Sequence, residues 1–317
     1  MVLSQEVLLQ LQSLLNLATI YANEEHYVIH PQKTVIVPFN MHSKQQRDHT
    51  ISDPPWHINS AQVPADREVV HLGIRRDMDN PYATIEDRVK CARRTLYAMH
   101  GPGLHGMSGL PVKTCIKLYN SYVLPRALYG LEAISLNDTA RKMLETFHRH
   151  ALRCILGLPE RTAIPALYIL TGQLPITYQN DIKVLNFLLG LLSSDPTREV
   201  ILRQYTVKKD NTKSLVKNFS QKLHNYGLPT IYDLYMCPPT KPQWKRQVRM
   251  AVQKIAVREL AQDAESMSSL RFLSKVLIPG VVHPTLGLTL NSRQVTRACI
   301  KARLATNTYP LQHTNTR

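Results

Sequence analysis

From Pro81 to Ser193 the apolar residues of this chain recur at three- and four-residue steps, a period that buries them along one side of a helix. Ile85, Val89, Ala92, Leu96 and Met99 form one stripe, which the Gly-rich stretch 101–109 ends. Ile116, Tyr119, Tyr122 and Val123 form a second that runs toward Pro125. A third carries Met143, Leu144, Phe147, Ala151 and Ile155. Asn137 or Asp138 is placed to cap its first amides, and Gly157 and Pro159 to close it. A further helix is expected over residues 176–193.

Ahead of this region, Leu3, Val7, Leu11, Leu14, Ala18 and Tyr21 place an apolar stripe along an N-terminal helix. Short Val- and Ile-rich runs at 27–29, 34–39 and 68–74 read as strands. Residues 40–55 are polar and hold Asp53-Pro54-Pro55, a loop signature. The expected fold class is mainly α with a small β region near the N-terminus. Pro229, Pro238, Pro239 and Pro242 cluster where periodicity is weak, so residues 201–242 read as a linker or extended loop. The domain plan is a helix with short strands over 1–80, a helical region over 81–200, that linker, and a basic helical region over 243–317.

Net charge is +16 at pH 7, and it is unevenly spread. Residues 1–200 carry 20 Lys+Arg against 18 Asp+Glu, and residues 201–317 carry 19 against 5. A segment this one-sided repels itself until a polyanion neutralises it, which points to RNA, DNA or an RNA–DNA hybrid ahead of an anionic membrane surface. Within it, Trp244, Val248, Ala251, Val252, Ile255 and Leu260 line one side of a helix expected over 243–261. Lys245, Arg246, Arg249, Lys254 and Arg258 lie off that line, with Glu259 alone opposing them. Such a helix can hold phosphates while Trp244 stacks on a base. The same pattern also fits a core helix with a solvated basic back, in which Trp244 is a core anchor.

Other chemistries leave no pattern. Cys91, Cys115, Cys154, Cys237 and Cys299 are scattered without Cys-x-x-Cys spacing, so neither a zinc site nor a disulfide framework is implied. An intracellular setting, nucleus or cytoplasm, is the simplest expectation. His26 with His30, and His148 with His150, lack partners at metal-ligand spacing. No Gly-rich phosphate loop ends in Lys-Ser or Lys-Thr, and there is no Gly-x-Ser-x-Gly elbow. Gln10, Gln12 and Asn16 break the first apolar stretch, and the run 185–192 falls well short of the roughly 20 residues that span a bilayer. Neither a signal peptide nor a transmembrane segment is expected.

Several segments, taken in order, resemble the region downstream of the active site in reverse transcriptases of non-LTR (LINE-type) retrotransposons. Tyr27-Val-Ile-His-Pro-Gln-Lys33-Thr34 resembles the family's Lys-Thr signature after its palm helix. Val70-His71-Leu72-Gly73-Ile74 resembles its Tyr-Leu-Gly-Ile strand, with His71 in place of the usual Tyr. Tyr122-Val-Leu-Pro125-Arg-Ala-Leu-Tyr129-Gly130 resembles a thumb-region helix. Arg153-Cys-Ile-Leu156-Gly157-Leu-Pro159 and Gly172-Gln-Leu-Pro175-Ile are similar to further landmarks.

The resemblance implies the end of a polymerase palm, a helical thumb and a helical C-terminal region. It places Lys33 near an incoming triphosphate, and Leu72 and Gly73 near a primer end. The Tyr-x-Asp-Asp turn whose carboxylates hold two magnesium ions in such enzymes has no counterpart here. Magnesium is therefore expected only of an intact parent enzyme, and this chain reads as a non-catalytic fragment, truncated at both ends, with no cofactor of its own. Two alternatives stay open: a helical interaction module or relic without a nucleic-acid role, and one piece of an active polymerase.

Overall fold

The computed structural model describes residues 5–38, 44–106, 109–208, 214–267, 270 and 278–286. Its contacts divide the chain into two units, Met1–Asp87 and Arg88–Arg317. The fold is mainly helical, with two small antiparallel hairpins near the N-terminus.

The first unit opens with α1 (Gln5–Glu24), followed by a 3-10 turn (Pro31–Lys33) and α2 (Lys44–Ser52). The segment 44–52 was expected to be loop, yet it holds neither Gly nor Pro and its polar residues tolerate a helix well. Strands β1 (His57–Ile58) and β2 (Ala61–Gln62) pair antiparallel, as do β3 (Glu68–His71) and β4 (Ile74–Asp77). The run 68–74, expected as one strand, instead turns at Leu72–Gly73 and supplies β3 and the first residue of β4, while 27–29 is irregular and 34–38 contributes a single bridge, Ile36 to Ala65. Phe39 lies outside the described residues. Trp56, Ile58, Val63, Ala83 and Ile85 are buried.

Leu3 and the Val7 side chain lie outside the described residues, and of the rest of the stripe expected of α1, Leu11 is half-buried while Leu14, Ala18 and Tyr21 are exposed. The helix meets β1 through Gln12, whose amide both donates to the His57 carbonyl and accepts from the His57 N–H, each at 2.9 Å. Among its described side chains Ala22 is buried, while Leu14 and Tyr21 stay 62% and 54% exposed. Two paired strands offer too little surface to cover more than one narrow face of a 20-residue helix.

Helix α3 (Ala83–Ala98) carries the chain into the second unit. Then come α4 (Val112–Leu118), a single π turn (Tyr119–Val123) and α5 (Leu124–Ala127). Next are α6 (Asp138–Leu156), α7 (Ile164–Thr171) and α8 (Ile176–Leu192). Four more follow: α9 (Asp195–Lys208), α10 (Leu215–Asn225), α11 (Ile231–Met236) and α12 (Lys241–Glu265). The termini of α6 follow the sequence closely. The Asn137 side chain accepts from the Ala140 N–H at 2.9 Å, and Gly157 closes the helix at φ +63°.

Helix α8 is the axis of the second unit, and α6, α9, α10, α11 and α12 all pack on it. The residues expected to form a linker over 201–242 instead fold into the end of α9, α10 and α11, with Val216, Phe219, Leu223, Ile231 and Leu234 buried in the same core as Leu185 and Trp244. Their prolines mark helix starts. Pro229 precedes the Thr230 cap of α11, and Pro242 sits in the first turn of α12, where a missing N–H costs nothing.

A polar cluster crosses the middle of this unit. The buried Glu145 carboxylate accepts from the Tyr168 hydroxyl at 2.7 Å and from the Thr177 hydroxyl and N–H at 3.0 and 3.1 Å. His148, fully buried beside it, lies 2.6 Å from the Tyr119 hydroxyl and 3.1 Å from the Leu174 carbonyl. Lys222 and the Tyr226 hydroxyl both bond Asp181, tying α10 to α8.

Candidate nucleic-acid interface

Helix α12 is built to be held firmly on one side. Thr240 and Gln243 close a capping box at its N-terminus. Its buried line is Trp244, Val248, Val252, Ala256, Leu260 and Ala264, a strict four-residue repeat. Two members of the expected stripe, Ala251 and Ile255, are only half-buried flanks of that line. Trp244 is completely buried, and its indole N–H donates to the Leu185 carbonyl of α8 at 2.9 Å. The ring is therefore a core anchor, unable to stack on a base.

The other side of α12 is basic. Lys245, Arg246, Arg249, Lys254 and Arg258 are all exposed. Arg246, Lys254 and Arg258 share a four-residue repeat with Met250 that runs parallel to the buried line, and Lys245 and Arg249 stand beside it. At 1.5 Å per residue, Arg246 to Arg258 spans about 18 Å. None of the five pairs with a carboxylate among the described residues. The nearest acid in sequence, Glu259, accepts from the Tyr178 hydroxyl instead. The result is a ridge of uncompensated charge on a helix that cannot shift without opening the core.

Lys33, Leu72 and Gly73 belong to the first unit. Lys33 ends the 3-10 turn and is exposed. Leu72 and Gly73 are the two turn residues between β3 and β4, at φ +50° and +73°, and Leu72 is 74% exposed. Two successive positive φ values match the twist of a two-residue hairpin, but a leucine in that region is strained.

Comparison with protein-family models, curated proteins and solved structures finds no match to this chain.

A second basic stretch escaped the reading by halves, because the acidic first unit cancels it in the sum. Residues 88–131 hold no Asp or Glu and seven cations: Arg88, Lys90, Arg93, Arg94, Lys113, Lys117 and Arg126. An acid-free run would have flagged it where a net charge over 200 residues could not. Tyr122, placed by its spacing among the buried residues, is 53% exposed, whereas Tyr119 and Val123 are buried. The π turn Tyr119–Val123 is the cause: a wider turn rotates the fourth residue away from the face shared by the first and the fifth.

Packing accounts for His148 and His150, while His26 and His30 are exposed. His148 belongs to the buried polar cluster, and His150 lies 3.4 Å from the Tyr97 hydroxyl and 3.5 Å from the Cys154 thiol. Burial lowers the pKa of His148, and burial together with the neighbouring His105 and His150 lowers that of His100. Among the described residues, no three His, Cys, Asp or Glu side chains are grouped to hold a metal ion, and no helix is long and apolar enough to cross a membrane.

Proposed function

We propose that this chain is a non-catalytic segment of a non-LTR retrotransposon reverse transcriptase, and that it binds RNA, DNA or their hybrid electrostatically. The observation that carries the binding is the α12 ridge, five exposed cations with no carboxylate partner among the described residues. Phosphate contacts from such a ridge position a polyanion without reading its sequence. The family reading draws on the sequence landmarks, and the tight Leu72–Gly73 hairpin and the glycine helix ends at Gly157 and Gly172 are compatible with them. Scattered free thiols at Cys91, Cys115, Cys154 and Cys237 fit a nuclear or cytoplasmic setting.

The test is fluorescence anisotropy with a labelled RNA–DNA hybrid across a salt series. Log affinity should fall by roughly 0.7 to 0.9 per tenfold salt for each phosphate neutralised. Reversing Lys245, Arg246 and Arg249 to glutamate should weaken binding at least tenfold and flatten that slope. No binding at low salt, or salt-insensitive binding, sinks the proposal. Primer extension with magnesium and nucleotides that survives stringent purification would contradict the non-catalytic part.

One observation favours a different reading. Leu9, Leu14, Leu17, Ile20 and Tyr21 leave an apolar strip of α1 between 54% and 65% exposed, as expected of a helical module that docks on another protein. Under that reading the charge reversal leaves the chain's partner binding intact.

A further inference from the structure

An open groove of about 610 Å³ runs between α3 and the π turn. Thr95, Ala98 and Met99 are part of its α3 side, and Tyr122 and Arg126 form the other. Arg94 stands at its edge, exposed and without a carboxylate partner among the described residues. Arg126 donates to the Thr95 hydroxyl at 3.1 Å, bracing the two walls. Further back along α3, the Arg88 guanidinium lies 5.3 Å from the centre of the ring of Tyr129, in the turn after α5, a cation–π contact. The groove thus combines an exposed aromatic ring and guanidinium forks within a stretch that contains no acid from 88 to 131.

We propose that this groove holds a single strand of nucleic acid, with one base stacked on Tyr122 and the flanking phosphates on Arg94 and Arg126. The inference rests on the nucleic-acid reading of the chain and adds a contact of a different kind from the α12 ridge. A ring beside guanidinium groups is what an unpaired strand offers partners for: a π-face at every base and a charge at every link. A duplex keeps its base faces stacked inside, so it can use the arginines and not the tyrosine. No side chain in the groove is placed to require a 2′-hydroxyl, so RNA and DNA strands should bind alike.

The experiment uses the full chain with fluorescent dT20, rU20 and a 20-base-pair duplex, comparing Tyr122→Ala, Tyr122→Phe, Arg94→Glu and the triple reversal on α12. Tyr122→Ala should weaken both single strands about tenfold, within the range found for loss of one base–aromatic stack. It should change the duplex less than twofold, and Tyr122→Phe should behave as wild type. Arg94→Glu should weaken both strands and reduce the salt slope by about 0.7. Unchanged single-strand binding in Tyr122→Ala overturns the proposal, as does an equal loss for strand and duplex. If Arg94→Glu abolishes binding to phosphatidylserine vesicles while dT20 and rU20 still bind as in wild type, the groove serves a membrane surface and the proposal also fails. Failure here is separable from failure of the α12 ridge. If the groove alone is wrong, the triple reversal still lowers duplex binding. If wild type binds none of the three probes at low salt, both readings fall.

Discussion

Trp244 shows how one side chain can carry opposite meanings. An indole among five cations suggests a base-stacking platform, but its ring is fully buried and its N–H is used on the Leu185 carbonyl. Trp244→Ala should therefore cost about 3–5 kcal/mol in stability, measured by urea denaturation, with binding lost only as the fold is lost. His148 makes a second prediction at this scale. Buried, it is held neutral, with Nδ1 accepting from the Tyr119 hydroxyl and Nε2–H donating to the Leu174 carbonyl. Burial lowers its pKa below the usual 6.5 or so. Below that pH the unfolded chain binds the proton more readily than the folded one, so stability is complete above about 6.5 and drains away as pH falls toward the folded-state pKa. The urea midpoint should fall between pH 7.5 and 5.5. His148→Gln should show a shallower fall, part of which remains because the pKa of His100 is lowered in the same direction.

At the scale of elements, the turn between β3 and β4 is the place where local chemistry disagrees with backbone geometry. Leu72 occupies the left-handed region at φ +50° and is 74% exposed, so little core burial is gained in return for the strain. Leu72→Asn would give Asn-Gly, the pair favoured in a two-residue turn of this kind, and should raise stability by about 1 kcal/mol. The measurement is the thermal midpoint of the pair of proteins, and a decrease would show that Leu72 makes a stabilising contact that outweighs its backbone cost. The segment 201–242 teaches a related lesson. Four prolines in weak periodicity resemble a linker, yet α10 buries Val216, Phe219 and Leu223 and α11 buries Ile231 and Leu234. Helices this short show too few turns for a periodic signal, and their stability comes from packing against α8.

For the molecule as a whole, charge is divided along with structure. Residues 1–87 hold 6 Lys+Arg against 11 Asp+Glu, and residues 88–317 hold 33 against 12. A chain with this excess is strained by its own field. Raising NaCl from about 20 mM to 300 mM shortens the Debye length from about 20 Å to about 6 Å, so the thermal midpoint should rise with salt. A short polyanion added at low salt should raise it as well, by binding the folded form. A midpoint that stays constant across that series would mean the cations are already neutralised within the fold.

Much of the second unit was legible in sequence because α3, α6 and α8 are long enough to display a 3.6-residue period and, in α6, end on recognisable caps. The basic side of α12 could be read for the same reason, since residues off an apolar line must face away from the core. Which residues share a surface across elements was decided by tertiary structure alone. The π turn moved Tyr122 out of the stripe that its spacing implied, and placed it opposite Arg94 across a groove that joins positions far apart in the chain. Likewise, Trp244 became an anchor because α8 presents the Leu185 carbonyl at 2.9 Å. Periodicity fixes the direction of a side chain relative to its own helix axis, and only packing decides what meets it there.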